Sequence, residues 1–388
     1  MDFSPSADRE QLRVAVRELC ATFGDEYWRE LDRARAYPER FVRALTDAGW
    51  LGALIPTEYG GAGLGVGDAA AILEEVNRSG ANGASAHAQM YTMGTLLRHG
   101  SDEQKRRYLP SIARGELRLQ AFGVTEPESG SETTRLRTTA TRQGDRYVVN
   151  GKKVFISRAE HSDLLLLLAR TTPYEDLDDK TRGLSVFVVD LRKAVAEHRI
   201  RIRPIQTMLN HHTTELFIED LEIPAVDLVG EEGAGFRQII DSWNAERILI
   251  ASEAIGDGRW FVERASRYAT DRVVFGRPIG TNQGVQFPIA QAYARIDAAA
   301  LLRDRAAWLF DSGKPCGPDA NMAKLLASQA SWDAANAALD TYGGYGFASE
   351  LDVERKLRET RLLMVAPVSN NLVLAYIGHT VLGMPKSY

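Results

Sequence analysis

The most informative segment of the sequence reads Phe122-Gly123-Val124-Thr125-Glu126-Pro127-Glu128-Ser129-Gly130-Ser131-Glu132. Its hydroxyl side chains can donate hydrogen bonds, and its glycines let backbone amides approach a ligand closely because glycine carries no Cβ atom. Such a loop suits a ligand rich in carbonyl and phosphate acceptors. A polar loop that binds nothing is the alternative, because turns rich in glycine and serine are common.

Two strand-like runs follow the loop. Tyr147 to Val149 and Lys152 to Ile156 are rich in β-branched and aromatic residues, and they flank Asn150-Gly151. Asn-Gly between two such runs is the strongest short-range signal for a β-hairpin. We therefore predict a hairpin that presents Phe155 and Ser157 on one face.

The loop and the predicted hairpin together resemble the acyl-CoA dehydrogenases, flavoproteins whose first signature is this Val-Thr-Glu-Pro loop. Further segments extend the resemblance over nearly the whole chain. Asp271 to Gly276 resembles the Arg-x-x-Phe-Gly segment of the family, and Asn282 to Gln286 resembles its Gln-x-x-Gln segment. Asp340 to Phe347, followed by Glu350, Arg355 and Glu359, fits the spacing of the second signature and is the most specific match.

Length and charge narrow the class of protein. A chain of 388 residues with 44% hydrophobic content can hold two or three domains with substantial cores. Acidic and basic residues are interspersed and the net charge is −5, so we expect neither nucleic acid nor a membrane as a partner. The longest notable apolar run, Leu164 to Ala169, is far too short to span a bilayer.

The cysteines favour a reducing cytoplasm. Cys20 and Cys316 lie far apart in the chain, which argues against a disulfide framework and against a cysteine-based metal site. His211-His212 has no third ligand at metal spacing, so no metal site is expected. The N-terminus, Met1 to Glu10, has no apolar core and carries early acids, which does not match a secretory signal.

The hydrophobic period changes twice along the chain. It is helical up to about Gly115, strand-like from Leu119 to Pro224, and helical again from Phe236 onward. We predict an α+β multidomain protein with an N-terminal helical domain, a central mostly antiparallel β domain and a C-terminal helical bundle. The predicted boundaries are 1–118, 119–228 and 229–388. The resemblance implies the same order. The predicted C-terminal helices cover 236–270, 283–312, 318–342 and 367–382.

The resemblance implies FAD as the cofactor. The residues implied at the flavin ring are Phe122, Val124, Thr125, Phe155, Ile156 and Ser157, with Ser131 facing either the flavin or coenzyme A. The residues implied at the ADP half are Arg272, Phe275, Gln283, Asp340, Gly343, Gly344, Ser369 and Asn371. Arg272 would meet a flavin held mainly by a neighbouring subunit, which implies a homotetramer or at least a dimer. Taken alone, Arg272 is typical of a solvated helix charge.

The segment that commonly carries the catalytic base departs from the family pattern. Many members have a Tyr-Glu-Gly-Thr run where this chain has Val365-Ala366-Pro367-Val368-Ser369, and Pro367 cannot accept a proton. A minority of the family places the carboxylate on the helix after the β domain, immediately before an arginine. This chain has Glu246-Arg247 there.

Spacing favours a buried Glu246. Ile239, Trp243, Glu246 and Ile250 fall at i, i+4, i+7 and i+11 and therefore share one stripe of a helix. Burial raises the pKa of a carboxyl toward a range useful for a base, so we expect Glu246 to be catalytic. A solvated Glu-Arg pair is the alternative.

The remaining implied contacts concern the substrate. Asn244 and Arg247 would contact coenzyme A, and Gln89 and Tyr91 would border the acyl pocket, whereas His87 alone is equally typical of a core histidine. The implied reaction is FAD-dependent α,β-dehydrogenation of an acyl-CoA thioester to the trans-2-enoyl-CoA, with electrons passed to an electron-transfer flavoprotein. An enoyl-CoA reductase or a flavin monooxygenase on the same fold is the alternative. A DNA-associated alkylation-response flavoprotein is disfavoured, because the C-terminal third has no basic run.

Overall fold

The computed structural model describes residues 6–386. Residues 1–5, the start of the segment tested above for a secretory signal, and residues 387–388 lie outside the described residues. The chain divides into two compact units. One unit contains Met1–Ala36, Gly65–Gly83 and Asn244–Tyr388, and the other contains Tyr37–Leu64 and Ala84–Trp243.

The predicted helical first third is confirmed. Ser6 begins the first helix by accepting a hydrogen bond from the Arg9 backbone amide, and Ser101 and Gln104 form a capping box at the start of the last. The helices before the first strand are α1 (Ala7–Ala21), α2 (Asp25–Ala34), α3 (Glu39–Asp47), α4 (Val66–Arg78), α5 (Ala84–His99) and α6 (Asp102–Ala113).

A mostly antiparallel sheet follows, as predicted. Its elements are β1 (Leu119–Gly123), β2 (Thr139–Gln143), β3 (Arg146–Ser157), β4 (Leu164–Arg170), β5 (Leu184–Asp190), α7 (Leu191–Ala196), β6 (Ile200–Pro204), β7 (Thr213–Pro224) and β8 (Leu228–Val229). The strands pair in the order β6-β7-β3-β2-β4-β5-β8, and β1 pairs with β4. The pairs β1–β4 and β2–β4 are parallel and the others are antiparallel.

The predicted hairpin turn at Asn150-Gly151 is wrong, because both residues lie inside β3. A Cβ atom at Gly151 would lie 2.3 Å from Thr138 Oγ1, so glycine serves a close approach of two chain segments. The Asn150 amide bonds Asp220 of β7, donating to its carboxylate at 3.1 Å and accepting from its backbone N–H at 2.8 Å. The true hairpin joins β2 to β3 through a turn that begins at Gly144, with φ 64°.

The C-terminal third is helical, as predicted, but its last helix starts later than expected. Ser369 caps that helix by accepting from the Leu372 backbone amide, so Pro367 precedes the helix instead of beginning it. A short helix after the second signature was not predicted separately. The elements are α8 (Gly235–Asp271), β9 (Val273–Val274), β10 (Arg277–Pro278), α9 (Gln283–Asp311), α10 (Gly317–Tyr342), α11 (Val353–Leu362) and α12 (Asn370–Tyr376), followed by a π-helical turn (Ile377–Val381).

Strand β4 is apolar on both of its faces, and each face packs against a different core. Leu164, Leu166 and Leu168 belong to a core that includes side chains of α5 and α6, whereas Leu165 and Leu167 belong to a second core built from β3, β5 and β7. Alternate side chains of a strand point to opposite faces, so a continuous apolar run fits a strand covered on both sides. Among residues 6–386, we find no helix with the length and apolarity needed to cross a membrane.

Candidate active site

The loop after β1 is fixed from below by a buried ion pair. The Glu126 carboxylate accepts from the Thr138 amide at 2.9 Å and from Lys153 Nζ at 2.8 Å, and Lys153 also donates to Val124 O at 3.0 Å. Burial lowers the pKa of Lys153 to about 8. Burial alone would raise the pKa of Glu126, but Lys153 and the Arg137 backbone amide bring it below its usual value. The ion pair therefore supports the loop from the sheet side, and within the loop Ser129 Oγ donates to Glu132 O at 2.6 Å.

Lys153 was not singled out from the sequence. It lies in the strand-like run Lys152 to Ile156, where a lysine is typical of a solvated position, yet it is fully buried. Its burial depends on Glu126, which lies 27 residues earlier in the chain. Glu126 belongs to the loop quoted at the start of the sequence analysis, but no local pattern indicates that Lys153 is its partner.

Phe155 projects from a bulge in β3. The register of β3 against β7 shifts between Lys153 and Ile156, Phe155 has φ 58°, and 63% of its surface is exposed. The strand stays joined to the loop through the Val154 amide, which donates to Thr125 O at 2.9 Å. A large apolar ring held exposed in a left-handed conformation is suited to stack on a planar ligand.

The other residues assigned to the flavin ring differ in accessibility. Val124, Thr125 and Ser157 are half-buried, and Ser131 is exposed. Ser157 Oγ lies 3.5 Å from Thr213 Oγ1. Phe122 and Ile156 are buried, and Ile156 belongs to the sheet core, so a ligand could reach Ile156 only through its backbone.

Helix α5 carries both predicted substrate residues, Gln89 and Tyr91, and brings Tyr91 beside Phe122. The Tyr91 ring centroid lies 6.3 Å from that of Phe122 and 4.9 Å from that of His87. Burial lowers the pKa of His87 to about 3, so its imidazole is neutral at physiological pH. Gln89 is buried, and its Oε1 has no hydrogen-bond partner among the described residues.

Glu246 is buried, as its spacing predicted. It is 4% exposed, and its Oε2 has no hydrogen-bond partner within residues 6–386. Burial raises the pKa of Glu246 to about 8, although the charges of Arg247 and Lys324 act in the opposite direction. Arg247 Nη1 donates to Asn244 Oδ1 at 3.3 Å, so the two residues assigned to coenzyme A contact each other.

The stripe that carries Glu246 matches its predicted pattern. Ile239 and Ile250 are buried, and Trp243 is partly buried. A carboxylate in such surroundings retains its proton more readily than one in water. It can therefore act as a base of more than ordinary strength once it is ionised.

A pocket of 660 Å³ opens beside the second signature. Arg272, Gly343 and Gly344 line it together with aromatic rings, and the Tyr268 and Tyr342 rings stack at 4.1 Å. A Cβ atom at either glycine would meet no atom within 4 Å, so it would occupy pocket space. The described lining is Tyr268, Arg272, Val274, Ile279, Thr341, Tyr342, Gly343, Gly344, Tyr345 and Ala348.

Other residues assigned to the ADP half lie outside that described lining. Phe275 is 99% exposed with φ 52°, and Gln283, Asp340 and Asn371 are exposed as well. Ser369 is half-buried and uses its hydroxyl to cap α12. Exposed apolar and polar groups of this kind are available to a ligand or to a second copy of the chain.

Each unit carries groups that fit one part of FAD. In the unit that contains Arg272, a guanidinium, stacked aromatic rings and unobstructed glycines suit a pyrophosphate and an adenine. In the other unit, the exposed Phe155 ring beside the Thr125 loop suits an isoalloxazine. Within the described residues, no group of three His, Cys, Asp or Glu side chains could hold a metal ion.

Comparison with known proteins identifies the family. Sequence models described as the N-terminal, middle and C-terminal domains of acyl-CoA dehydrogenase match residues 6–116, 121–221 and 233–379. The chain belongs to the acyl-CoA dehydrogenase family. It has the three-domain fold of that family, and the family is one of oxidoreductases.

Individual family members are similar over nearly the full chain. Acyl-CoA dehydrogenase FadE12 of Mycobacterium tuberculosis is 34% identical over 100% of this chain and 99% of its own. A 3-(aryl)acrylate reductase of Clostridium sporogenes is 33% identical over 90% of this chain and 93% of its own. A solved structure of PigA with FAD and proline is 26% identical, with a TM-score of 0.92 over 99% of this chain and 100% of that one.

Proposed function

We propose that this protein is an FAD-dependent dehydrogenase that converts an acyl-CoA thioester to the trans-2-enoyl-CoA. Glu246 removes the α-proton, and a bound FAD supplies the two-electron acceptor for the β-hydride. The domains proposed for this activity are 1–118, 119–228 and 229–388. The single observation that carries the proposal is a buried glutamate, with one oxygen unbonded among the described residues, in a chain of this family.

The burial of Glu246 supports its role as the base. A carboxyl with a pKa of about 8 binds a proton more strongly than a solvated one, and general bases work best with a pKa near the operating pH. Its oxygen is free of hydrogen bonds from the described residues, so no donor competes with the substrate proton. Pro367 stands where many family members carry the base, and a proline side chain cannot accept a proton.

The accessible residues of each unit support the binding roles. Phe155, Thr125, Ser157 and Ser131 are the groups proposed to contact the flavin ring or its rim. Arg272, Gly343 and Gly344 share one pocket and are proposed for the ADP half. Phe122, Val124, Ile156, Phe275, Gln283, Asp340, Ser369 and Asn371 remain proposals from the resemblance.

The substrate contacts are proposed from the same resemblance. Arg247 and Asn244, joined by a hydrogen bond, present a cation and an amide suited to coenzyme A. Gln89 and Tyr91 are proposed to border the acyl group. Because Gln89 Oε1 has no partner among the described residues, Gln89 has hydrogen-bonding capacity left for a ligand.

The proposed assembly is a homotetramer that passes electrons to an electron-transfer flavoprotein. Contact between copies of the chain is supported by exposed apolar side chains in the C-terminal third of the chain, including Phe275, Phe287, Leu301 and Trp308. Cys20 and Cys316 are both buried and form no disulfide, which agrees with the expected cytoplasmic location. Sedimentation of the flavin-loaded protein at micromolar concentration tests the assembly, and a monomer would contradict it.

The decisive experiment is anaerobic reduction of the bound flavin by a panel of acyl-CoA thioesters, with Glu246→Gln beside the parent. Loss of a general base lowers a rate by about 10²–10⁴-fold, while FAD content and binding of a product analogue are retained. Glu253→Gln is the matched control, because Glu253 is another buried carboxylate of α8. If Glu246→Gln is reduced within a few-fold of the parent rate, Glu246 is not the base.

An enoyl-CoA reductase is the second candidate, favoured by the similarity to a protein named 3-(aryl)acrylate reductase. Dehydrogenation of an acyl-CoA and reduction of an enoyl-CoA use the same site residues, so the measurement must compare the rates of the two reactions. Faster reoxidation of the reduced flavin by an enoyl-CoA than by an electron-transfer flavoprotein, together with poor reduction by acyl-CoA, would favour the reductase.

A further inference from the structure

Two residues in left-handed backbone conformations face each other where β3 ends and β7 begins. Arg158 follows Ser157, the last residue of β3, with φ 60°, and His212 precedes Thr213, the first residue of β7, with φ 48°. Ser157 pairs with Thr213 in the sheet, and the Arg158 backbone N–H donates to His212 O at 2.7 Å. The strand pair therefore closes with one more hydrogen bond, made between two strained residues.

The His212 side chain is held by a second histidine. A left-handed conformation is unfavourable for a residue that carries a Cβ atom, so it persists where surrounding contacts hold it in place. His212 Nδ1 lies 3.2 Å from His161 Nε2, so one imidazole donates to the other, and the rings meet at 86° with centroids 4.7 Å apart. Burial lowers the pKa of His161 to about 4, so at physiological pH His161 is neutral and the contact is free of charge repulsion.

This histidine pair, His161 and His212, is anchored to β1 through Tyr37. The His161 ring stacks on the Tyr37 ring at 4.1 Å, with 14° between the ring planes. The Tyr37 hydroxyl donates to Gln120 Oε1 at 2.8 Å, and Gln120 belongs to β1, the strand that leads into the Thr125 loop. One chain of contacts therefore connects the strand before that loop to the end of β3.

The backbone sets the position of the Ser157 hydroxyl. Ser157 Oγ lies 3.5 Å from Thr213 Oγ1, which is longer than an ordinary hydrogen bond between hydroxyls. The backbone around Ser157, in contrast, is fixed on both sides. Thr214 Oγ1 donates to Ile156 O at 2.7 Å, and Arg158 is bonded to His212 O. A change at His212 therefore reaches Ser157 through a single backbone hydrogen bond.

We propose that the histidine pair is a positioning device that holds the end of β3, and with it the Ser157 hydroxyl, in place for the flavin. The inference rests on the proposed role of Ser157 at the flavin ring. His161 and His212 act through the His212 carbonyl and the Arg158 N–H, and they need no contact with the flavin themselves. A polar group that serves a bound ring must be held in a precise position by the contacts behind it, and the histidine pair supplies those contacts.

The test is a double-mutant cycle on FAD binding. His161→Phe keeps a ring to stack on Tyr37 but removes the nitrogen that bonds His212, and Ser157→Ala removes the hydroxyl. Each single substitution should weaken FAD binding to the FAD-free full chain by about fivefold or more, the typical worth of one hydrogen bond. The double variant should match Ser157→Ala within about twofold, because the histidine pair acts through the hydroxyl that Ser157→Ala has already removed.

A second variant covers the case in which His161→Phe does not fold. His212→Asn keeps a residue that tolerates the left-handed conformation, but its side chain is too short to reach His161. His198→Asn is the matched control, because His198 is also left-handed, with φ 58°, and is exposed; it should keep the parent FAD affinity. The reduction potential of the bound flavin is the second readout, and it should shift in the same direction in His161→Phe, His212→Asn and Ser157→Ala.

The outcomes separate this inference from the proposed dehydrogenation, because FAD affinity and potential are measured without an acyl-CoA. If His161→Phe and His212→Asn keep the parent affinity and potential, the proposal is overturned. Losses of His161→Phe and Ser157→Ala that simply add in the double variant overturn it as well, since the histidine pair would then act by another route. If Ser157→Ala alone changes neither quantity, Ser157 does not serve the flavin and the positioning role fails with it.

Discussion

Replacing Glu246 with glutamine should stabilise the folded protein at alkaline pH. Burial raises the pKa of Glu246 to about 8 from an ordinary value of 4.5, so the folded protein keeps a proton that the unfolded chain releases as the pH rises above 4.5. Stability falls with pH wherever the folded state binds more protons. The parent therefore loses stability between about pH 4.5 and pH 8, and the variant, which has no proton to lose at this position, does not.

The magnitude follows from the size of the shift. The difference of 8 − 4.5 = 3.5 pKa units, at about 1.4 kcal/mol per unit, corresponds to about 5 kcal/mol. This is an upper limit, because water entry and local relaxation around an ionised Glu246 lower the cost. We expect Glu246→Gln to match the parent within about 1 kcal/mol near pH 5 and to exceed it by about 2–5 kcal/mol near pH 9.

Urea unfolding of the flavin-loaded protein, at fixed protein and FAD concentrations between pH 5 and pH 9, measures this difference. Glu263→Gln is the control, because Glu263 is a half-exposed carboxylate of the same helix, paired with Arg78, and its replacement should give a difference nearly independent of pH. A stability difference between Glu246→Gln and the parent that stays constant from pH 5 to pH 9 would refute the raised pKa. The reasoning that makes Glu246 a strong base would fail with it.

Two further substitutions test the loop and the bulge. Lys153→Met should destabilise the protein by about 3–5 kcal/mol, because it leaves the Glu126 carboxylate buried without its partner. Unfolding midpoints measure the loss, and adding Glu126→Gln should recover part of it. If Lys153→Met alone leaves the stability unchanged, the pairing is contradicted. Phe155→Ala should change the stability of the FAD-free protein by less than about 0.5 kcal/mol, because the ring is largely exposed. The same substitution should weaken FAD binding, which flavin fluorescence measures. An unchanged FAD affinity would exclude the proposed stacking.

Periodicity was sufficient to predict the order of helical and β regions, because long amphipathic helices and apolar strands carry their own signal. The expected helix at 283–312 closely matches α9 (Gln283–Asp311), and the strand-like run at Leu164 lies in β4. The turn expected at Asn150-Gly151 failed because its cause is tertiary. Gly151 is required by the approach of Thr138, and Asn150 is paired with Asp220, 70 residues away.

Contacts between residues far apart in the chain also limited what could be predicted about the site. Helical spacing on α8 was enough to predict that Glu246 is buried, since the neighbours that matter are a few residues away. The burial of Lys153 depends on Glu126, 27 residues earlier in the chain, and a lysine in a strand is ordinarily solvated. Buried lysines of this kind become visible only when the fold brings their acceptors together.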